Sequence, residues 1–219
     1  MIEDLIRPIL TVDVIPLVLK DGCMHVALQR RDKAPYANEM ALVGGYVRAD
    51  EDESATAAAL RVLREKAGIT PRLLEQLMTF SGAGRDPRGW SASIAYYALQ
   101  PAESLPTDRN LMLTPLDQAR GLPFDHDAIL AKAADRWRRR AAYSTLPAFL
   151  LPPHFTLSAL RAAYESVLGR ALNDSAFRRK IDELRVIQPI AGASSKATAR
   201  PAQLYRLSHD GVTEFDRTL

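Results

Sequence analysis

The chain has 219 residues, 47% hydrophobic and 25% charged, which marks a globular protein long enough for one large domain or two modest ones. Its 29 basic against 26 acidic residues leave a net charge of +3, and the base gathers in the second half: RWRRR at 136–140, RRK at 178–180, then Lys196 and Arg200. That clustering points toward a polyanion partner, while a single cysteine, Cys23, excludes an internal disulfide and, with no Cys/His cluster, a zinc site.

The opening MIEDLIRPIL carries acids where a signal peptide has a basic start, and no apolar run approaches membrane-spanning length, so a cytoplasmic protein with no membrane partner is expected. Residues 11–19 (TVDVIPLVL) read as a strand ending at the turn Lys20-Asp21-Gly22, and 25–29 resume it as a hairpin. A short apolar run at 41–47 enters the Gly44-Gly45 turn. Residues 53–67 have helical spacing through Ala57, Leu60, Leu63 and Ala67, with Gly68 as the stop. Further strands are expected at 74–80 and at 91–99, the second alternating through Ile94, Tyr96 and Ala98. A long helix over 125–143, basic toward its C-terminal end, closes this half.

Pro147 and Leu151-Pro152-Pro153 then punctuate the chain, and a domain boundary is expected near 148, with the 125–143 helix as connector. The second domain, 149–219, has a different order. A helix over 155–168 is capped by Thr156 and buries Leu157, Leu160, Tyr164, Val167 and Leu168. A second runs from its cap Asn173 to Leu184, burying Phe177, Ile181 and Leu184 and leaving Arg178, Arg179 and Lys180 mainly outside. A strand at 186–190, a basic loop at 191–202 with Ser194, Lys196 and Arg200, and a strand at 203–207 follow. That is the order of a winged helix–turn–helix. The tail 209–219 reads as either a short helix or disordered.

The stretch GGYVRADEDESATAAALRVLREKAGI at 44–69 resembles a Nudix box, the loop–helix–loop that holds magnesium against a nucleoside diphosphate. With Gly68-Ile69 anchoring its end, Arg61 matches the box arginine, Leu63 the aliphatic, Glu65 the first of the paired acids and Glu53 the isolated glutamate. Val62 and Lys66 stand where two metal-binding glutamates belong, and Gly45 lies two residues further from Arg61 than in the pattern. Magnesium wants several carboxylate oxygens around one point, and pyrophosphate hydrolysis needs that metal. The residues therefore point to no catalytic centre and no metal. Glu65 is read as a salt-bridge partner of Arg61 one turn earlier, and Lys66 as either a fixed charge replacing the metal or a solvated lysine.

Arg30-Arg31 at the end of the second strand, Arg48 after the glycine turn, and the turn segment GRDPRGW at 84–90, with Arg88 and Trp90, are candidate ligand contacts. Arginines bind diphosphate oxygens bidentately, and Trp90 or Tyr46 offers an adenine a stacking face. A winged helix that binds DNA would place Ser175, Arg178, Arg179 and Lys180 of its second helix in the major groove, with Ser194, Lys196 and Arg200 of the loop on backbone or minor groove.

Nearly the whole chain is similar to the Nudix-related transcriptional regulators, the NrtR family, through GRDPRGW, FDHDAIL, LLPPHFTLSALRAAYESVLG, AFRRKI and RPAQLYRL. The resemblance implies an α+β protein: a Nudix α/β/α sandwich with a mixed sheet over 1–148, then the winged helix. It implies a homodimeric repressor of NAD-metabolism genes on a palindromic double-stranded operator, released by ADP-ribose or a related NAD metabolite, with no cofactor required. Some relatives regulate sugar-use genes and a few keep hydrolase activity. An active Nudix pyrophosphatase with an accessory domain, and a nucleotide-binding adaptor whose winged helix binds protein, are the rival readings.

Overall fold

The computed structural model describes residues 7–107, 109–195, 201–216 and 218. Strands β1 (Ile9–Lys20) and β2 (Cys23–Arg30) form the expected antiparallel hairpin, with Lys20 opposite Cys23. Asp21 and Gly22 between them both take positive φ, 50° and 74°, as a tight two-residue hairpin turn requires. The apolar run at 41–47 divides into β3 (Met40–Ala41), which pairs with β2, and β4 (Val43–Tyr46), which pairs with β1.

Helix α1 (Ala55–Val62) is capped by Ser54, whose hydroxyl accepts from the Ala57 amide at 3.1 Å. It runs on as a π-turn over Leu63–Ala67 and stops at Gly68, φ 65°. Its buried face is Ala58, Ala59, Val62, Leu63 and Ala67; Leu60, expected inside, is 44% exposed. Three successive alanines, 57–59, carry no size signal, so the register of the stripe was open in the sequence. The edge strand β5 (Leu73–Gly82) pairs antiparallel with β6 (Ser91–Leu99), and β6 lies parallel to β1. Strand β7 (Leu111–Pro115), not anticipated, pairs with β2. Helix α2 (His126–Ala141) completes this half.

The mixed sheet is covered on both faces, which explains why every residue of β6 from Ala95 to Leu99 is buried and not only the alternating ones. Val12, Val14 and Tyr96 pack against α1; Ile15, Leu17, Tyr97 and Trp137 belong to the core under α2. The α/β/α sandwich is thus formed as expected.

The C-terminal half is a winged helix. Strand β8 (Phe155–Thr156) precedes α3 (Leu157–Leu168) and α4 (Asp174–Leu184), and β9 (Ile187–Ser195) and β10 (Ala202–Leu207) complete a sheet ordered β8-β10-β9. The helix expected from Phe155 starts two residues later, because Phe155 and Thr156 pair with Tyr205 and Leu204. Both expected caps form: Thr156 accepts from the Ala159 amide at 3.1 Å and Asn173 from the Ala176 amide at 3.0 Å. The region read as a loop from 191 is strand as far as Ser195, with Ser194 opposite Gln203. The tail is neither helical nor loose through 216. Glu214 bridges to Ser144, the Phe215 amide donates to the Tyr143 carbonyl at 2.6 Å, and Phe215 is buried in the winged-helix core.

The halves meet closely. A 3-10 turn over Leu146–Leu150 places Leu146, Phe149 and Leu150 in the core under the sheet and Ala148 in the winged-helix core. The Ser166 hydroxyl donates to the Gly22 carbonyl at 2.7 Å, and the buried Tyr164 hydroxyl to the Ser144 carbonyl at 2.7 Å. Tyr164→Phe leaves that carbonyl buried without its donor. We expect a loss of about 1–3 kcal/mol in urea denaturation; an unchanged midpoint would show the bond to be dispensable.

Candidate functional site: a cationic cleft and a basic helix

A cleft of 440 Å³ opens between the first half of β1, the segment after β2, the Gly44-Gly45 turn, the π-turn after α1, and the loops before β6 and α2. Its lining carries seven cationic side chains (Arg31, Lys33, Arg48, Arg61, Lys66, Arg85, Arg88) against four carboxylates (Asp13, Asp32, Glu65, Asp86). The excess positive charge, converging on one concavity, suits an anionic ligand.

The deepest carboxylate is Asp13, in the middle of β1. The Ser93 hydroxyl donates to it at 2.6 Å, Arg85 at 3.4 Å, and His126 Nε2 stands 3.5 Å away. Burial alone would raise its pKa; His126, Ser93 and Arg85 outweigh that and hold it at about 2. Arg85 is itself clamped by Asp125 at 2.8 Å, and His126 Nδ1 accepts from the Leu42 amide at 3.1 Å. The N-terminal end of α2 is thereby tied to the floor of the cleft.

The box arginine has a clear partner. Arg61 holds Asp52 by two parallel bonds of 2.7 Å and also donates to the Tyr46 carbonyl at 3.0 Å. The bonds from Arg61 bring the Asp52 carboxyl down to about 2. Glu53, aligned with the isolated glutamate, is exposed and outside the lining; the neighbouring Asp52 meets the arginine because the longer loop shifts the chain.

A metal does not fit here. Val62 is 1% exposed, packed among Val12, Val43 and Ala58, although an edge of it reaches the cleft. Glu65 lies 3.4 Å from Arg61 and 3.5 Å from Arg48, so its charge is already matched. The Lys66 ammonium donates to the Gly44 carbonyl inside the cleft, and burial, with Arg31 nearby, pushes its pKa below the usual lysine value. Among the described residues no group of three His, Cys, Asp or Glu is placed to hold an ion.

Of the ligand contacts expected from sequence, the structure brings Arg48, Lys66 and Arg88 to the cleft. Arg30 lies outside the lining: its guanidinium turns to the Asn38 carbonyl at 2.7 Å, and the next residue, Arg31, enters instead because side chains alternate at a strand end. Trp90, 49% exposed, is also outside it, while Tyr46 is in the lining with Arg88 over its ring at 5.3 Å. Phe124 adds a second aromatic, with Arg31 4.9 Å from its centroid.

On the other half, α4 presents Ser175, Arg178 and Arg179 to solvent, with Lys180 half-buried and Arg179 4.0 Å from Glu183. Ser194 is exposed on β9; Lys196 and Arg200 lie outside the described residues. Arg161 and Glu165 of α3 brace the turn before α4, the first donating to the Leu172 carbonyl and the second accepting from the Leu172 amide. No described helix is long and apolar enough to cross a membrane.

Family models match both halves: a NUDIX domain over residues 8–142 and an NrtR DNA-binding winged helix domain over 147–207. An ADPR responsive transcriptional repressor, NtrR, from Acinetobacter baylyi is 36% identical over 224 residues, covering 99% of this chain and 89% of the relative. The chain belongs to the NrtR family. Shewanella oneidensis NrtR, crystallised with a 27mer DNA, matches at TM-score 0.87 and 31% identity over 96% of this chain and 99% of that one. The NUDIX domain of the same protein, crystallised with ADP ribose, matches at TM-score 0.56 and 30% identity over 62% of this chain and 92% of that one.

Within this NrtR-family chain, sequence reasoning singled out none of Asp13, Asp52, Phe124 and His126, and reached Arg85 only as part of the GRDPRGW segment. One signal was present: an aspartate inside the apolar run TVDVIPLVL must be buried and therefore paired. The acids give a pH test. Asp13 and Asp52, both at about 2, lie below the ~3.9 of an unfolded aspartate. Their stabilisation is complete above about pH 4 and is lost as pH falls through about 2. Asp52→Asn is expected to lower the urea midpoint at neutral pH and to flatten its decline below about pH 4. An acid profile parallel to wild type would contradict the pairing.

Proposed function

We infer that this chain is a DNA-binding transcriptional repressor that responds to ADP-ribose, or a closely related NAD metabolite, through a cleft that no longer hydrolyses it. The observation that carries this reading is the joining of two features in one chain: a box with Val62 in the core and Lys66 in the cleft, and a winged helix exposing Arg178 and Arg179. The relatives' names add the DNA and the ligand.

In this reading the diphosphate lies among Arg48, Arg88 and Lys66, with Lys66 supplying at a fixed point the charge a metal supplies in a hydrolase. Tyr46 and Phe124 offer aromatic faces to the base. The cleft-lining domain covers 1–148 and the DNA-binding domain 149–219. Helix α4 enters the major groove, Ser175, Arg178, Arg179 and Lys180 meet bases or phosphates, and Ser194, Lys196 and Arg200 meet backbone along the wing. The protein acts in the cytoplasm as a homodimer on a palindromic operator of NAD-metabolism genes, because a two-fold dimer reads two-fold sites.

Release requires the ligand to prefer the DNA-free arrangement. The tie from Asp13 through Arg85 and Asp125 to the start of α2 gives the cleft a grip on the helix that leads into the winged domain. The test is anisotropy on labelled duplex from the upstream region of the chain's own operon. ADP-ribose is expected to weaken binding by about tenfold or more and to be recovered intact. Unchanged DNA affinity, or release of AMP with magnesium, would refute the assignment.

A further inference from the structure

Away from the cleft, a second cavity of 370 Å³ lies at the junction of the two halves. Arg72, just before β5, projects into it from the first domain; His154, Arg206 and His209 approach from the second, with one carboxylate, the exposed Asp210, on the rim. The Arg72 guanidinium is partly fixed: Nη1 donates to the carbonyls of Ala148, at 3.2 Å, and Leu151, and the group lies 5.5 Å from the centre of the Phe149 ring. Those contacts orient it but supply no full negative charge. Asp210 lines the same cavity but forms no ion pair with Arg72, nor does any other described carboxylate, and burial lowers the Arg72 pKa. A half-buried guanidinium without a counter-charge is costly and calls for an anion.

The other donors are also uncommitted. Arg206, His154 and His209 form no ion pair among the described residues. Arg206 sits opposite Gln188 in the β9–β10 pairing, four residues from the Ala202–Ser195 pair that leads to the wing tip, or ~13 Å along the strand. Its neighbour Tyr205 packs into the winged-helix core, so Arg206 faces the other side of the sheet, away from α4. The cavity therefore looks toward the first domain and not along the DNA-reading helix.

We propose that this junction cavity is a binding site for a small phosphate-class oxyanion, held between Arg72 of one domain and Arg206 of the other, with His154 and His209 as further donors. Charge-assisted bonds from both sides would join the domains through the anion. Its occupancy then affects how readily the winged helix shifts against the sandwich, independently of the cleft.

The test uses the full chain, titrated calorimetrically with inorganic phosphate. With the cleft filled by saturating ADP-ribose, one phosphate per chain is expected, weakened about tenfold or more in Arg206→Ala and unaffected by Arg88→Ala in the cleft. Arg206 is exposed, so its replacement does not threaten folding; Arg206→Lys should restore part of the affinity. Absence of binding in the millimolar range, equal binding in Arg206→Ala, or loss in Arg88→Ala alone would overturn the proposal. The same phosphate chemistry is present in DNA, so a second arm measures duplex binding against salt without phosphate. An unchanged salt slope in Arg206→Ala supports a free anion, whereas a slope reduced by about one would assign Arg206 to the DNA backbone and overturn it.

Discussion

A carboxylate buried in the central strand of a sheet has to be compensated, and Asp13 makes that demand on everything around it. Arg85, Ser93 and His126 converge on it from three different segments. The same demand accounts for the first glycine of the box. A Cβ at Gly44 would come within 2.1 Å of the Asp13 carboxylate, so β4 can pair beside Asp13 only if residue 44 has no side chain. The second glycine answers a different neighbour, since a Cβ at Gly45 would meet Val62 at 2.9 Å. The glycine pair is thus explained by packing inside the protein, and it leaves the Gly44 carbonyl free to hold Lys66.

The altered box is more than a box with acids missing. Val62 has become part of the hydrophobic core between the sheet and α1, where its burial is worth about 1.5–3 kcal/mol. Returning a glutamate there would put a charge into apolar packing before it restored any metal site. Lys66 differs: the residue is exposed overall and its ammonium reaches into the cleft, so a carboxylate is sterically tolerable there. Arg61, which in a box with metal neighbours other acids, here fixes Asp52 and steadies the loop after the glycines. Retaining the frame while losing the ligands is therefore a stable outcome: each changed position has a new physical role.

Much of this was legible in the sequence. Turn chemistry at Asp21-Gly22, the caps at Thr156 and Asn173, and the stops at Gly68 and Gly169 are local signals and gave the elements their ends. What escaped depends on distant contacts. The buried face of α1 was ambiguous because alanines carry little pattern, and Phe155–Thr156 became strand only through pairing with β10. The tail gained order from Ser144 and Thr145, some seventy residues earlier. The cleft was legible in part: Arg48 and Lys66 near the box and Arg88 in GRDPRGW were visible, whereas Asp13, Phe124 and His126 reach it only through the fold.

The central claim is that a fixed ammonium, not a metal ion, meets the diphosphate in this cleft. Calorimetric titration of ADP-ribose into wild type and Lys66→Glu, each in EDTA and in magnesium, tests it directly. Wild type should bind equally well in both, and Lys66→Glu should bind about tenfold or more weakly in EDTA, with magnesium recovering part of the loss. Wild-type binding that requires magnesium, or a Lys66→Glu protein that binds as tightly as wild type in EDTA, would contradict the account.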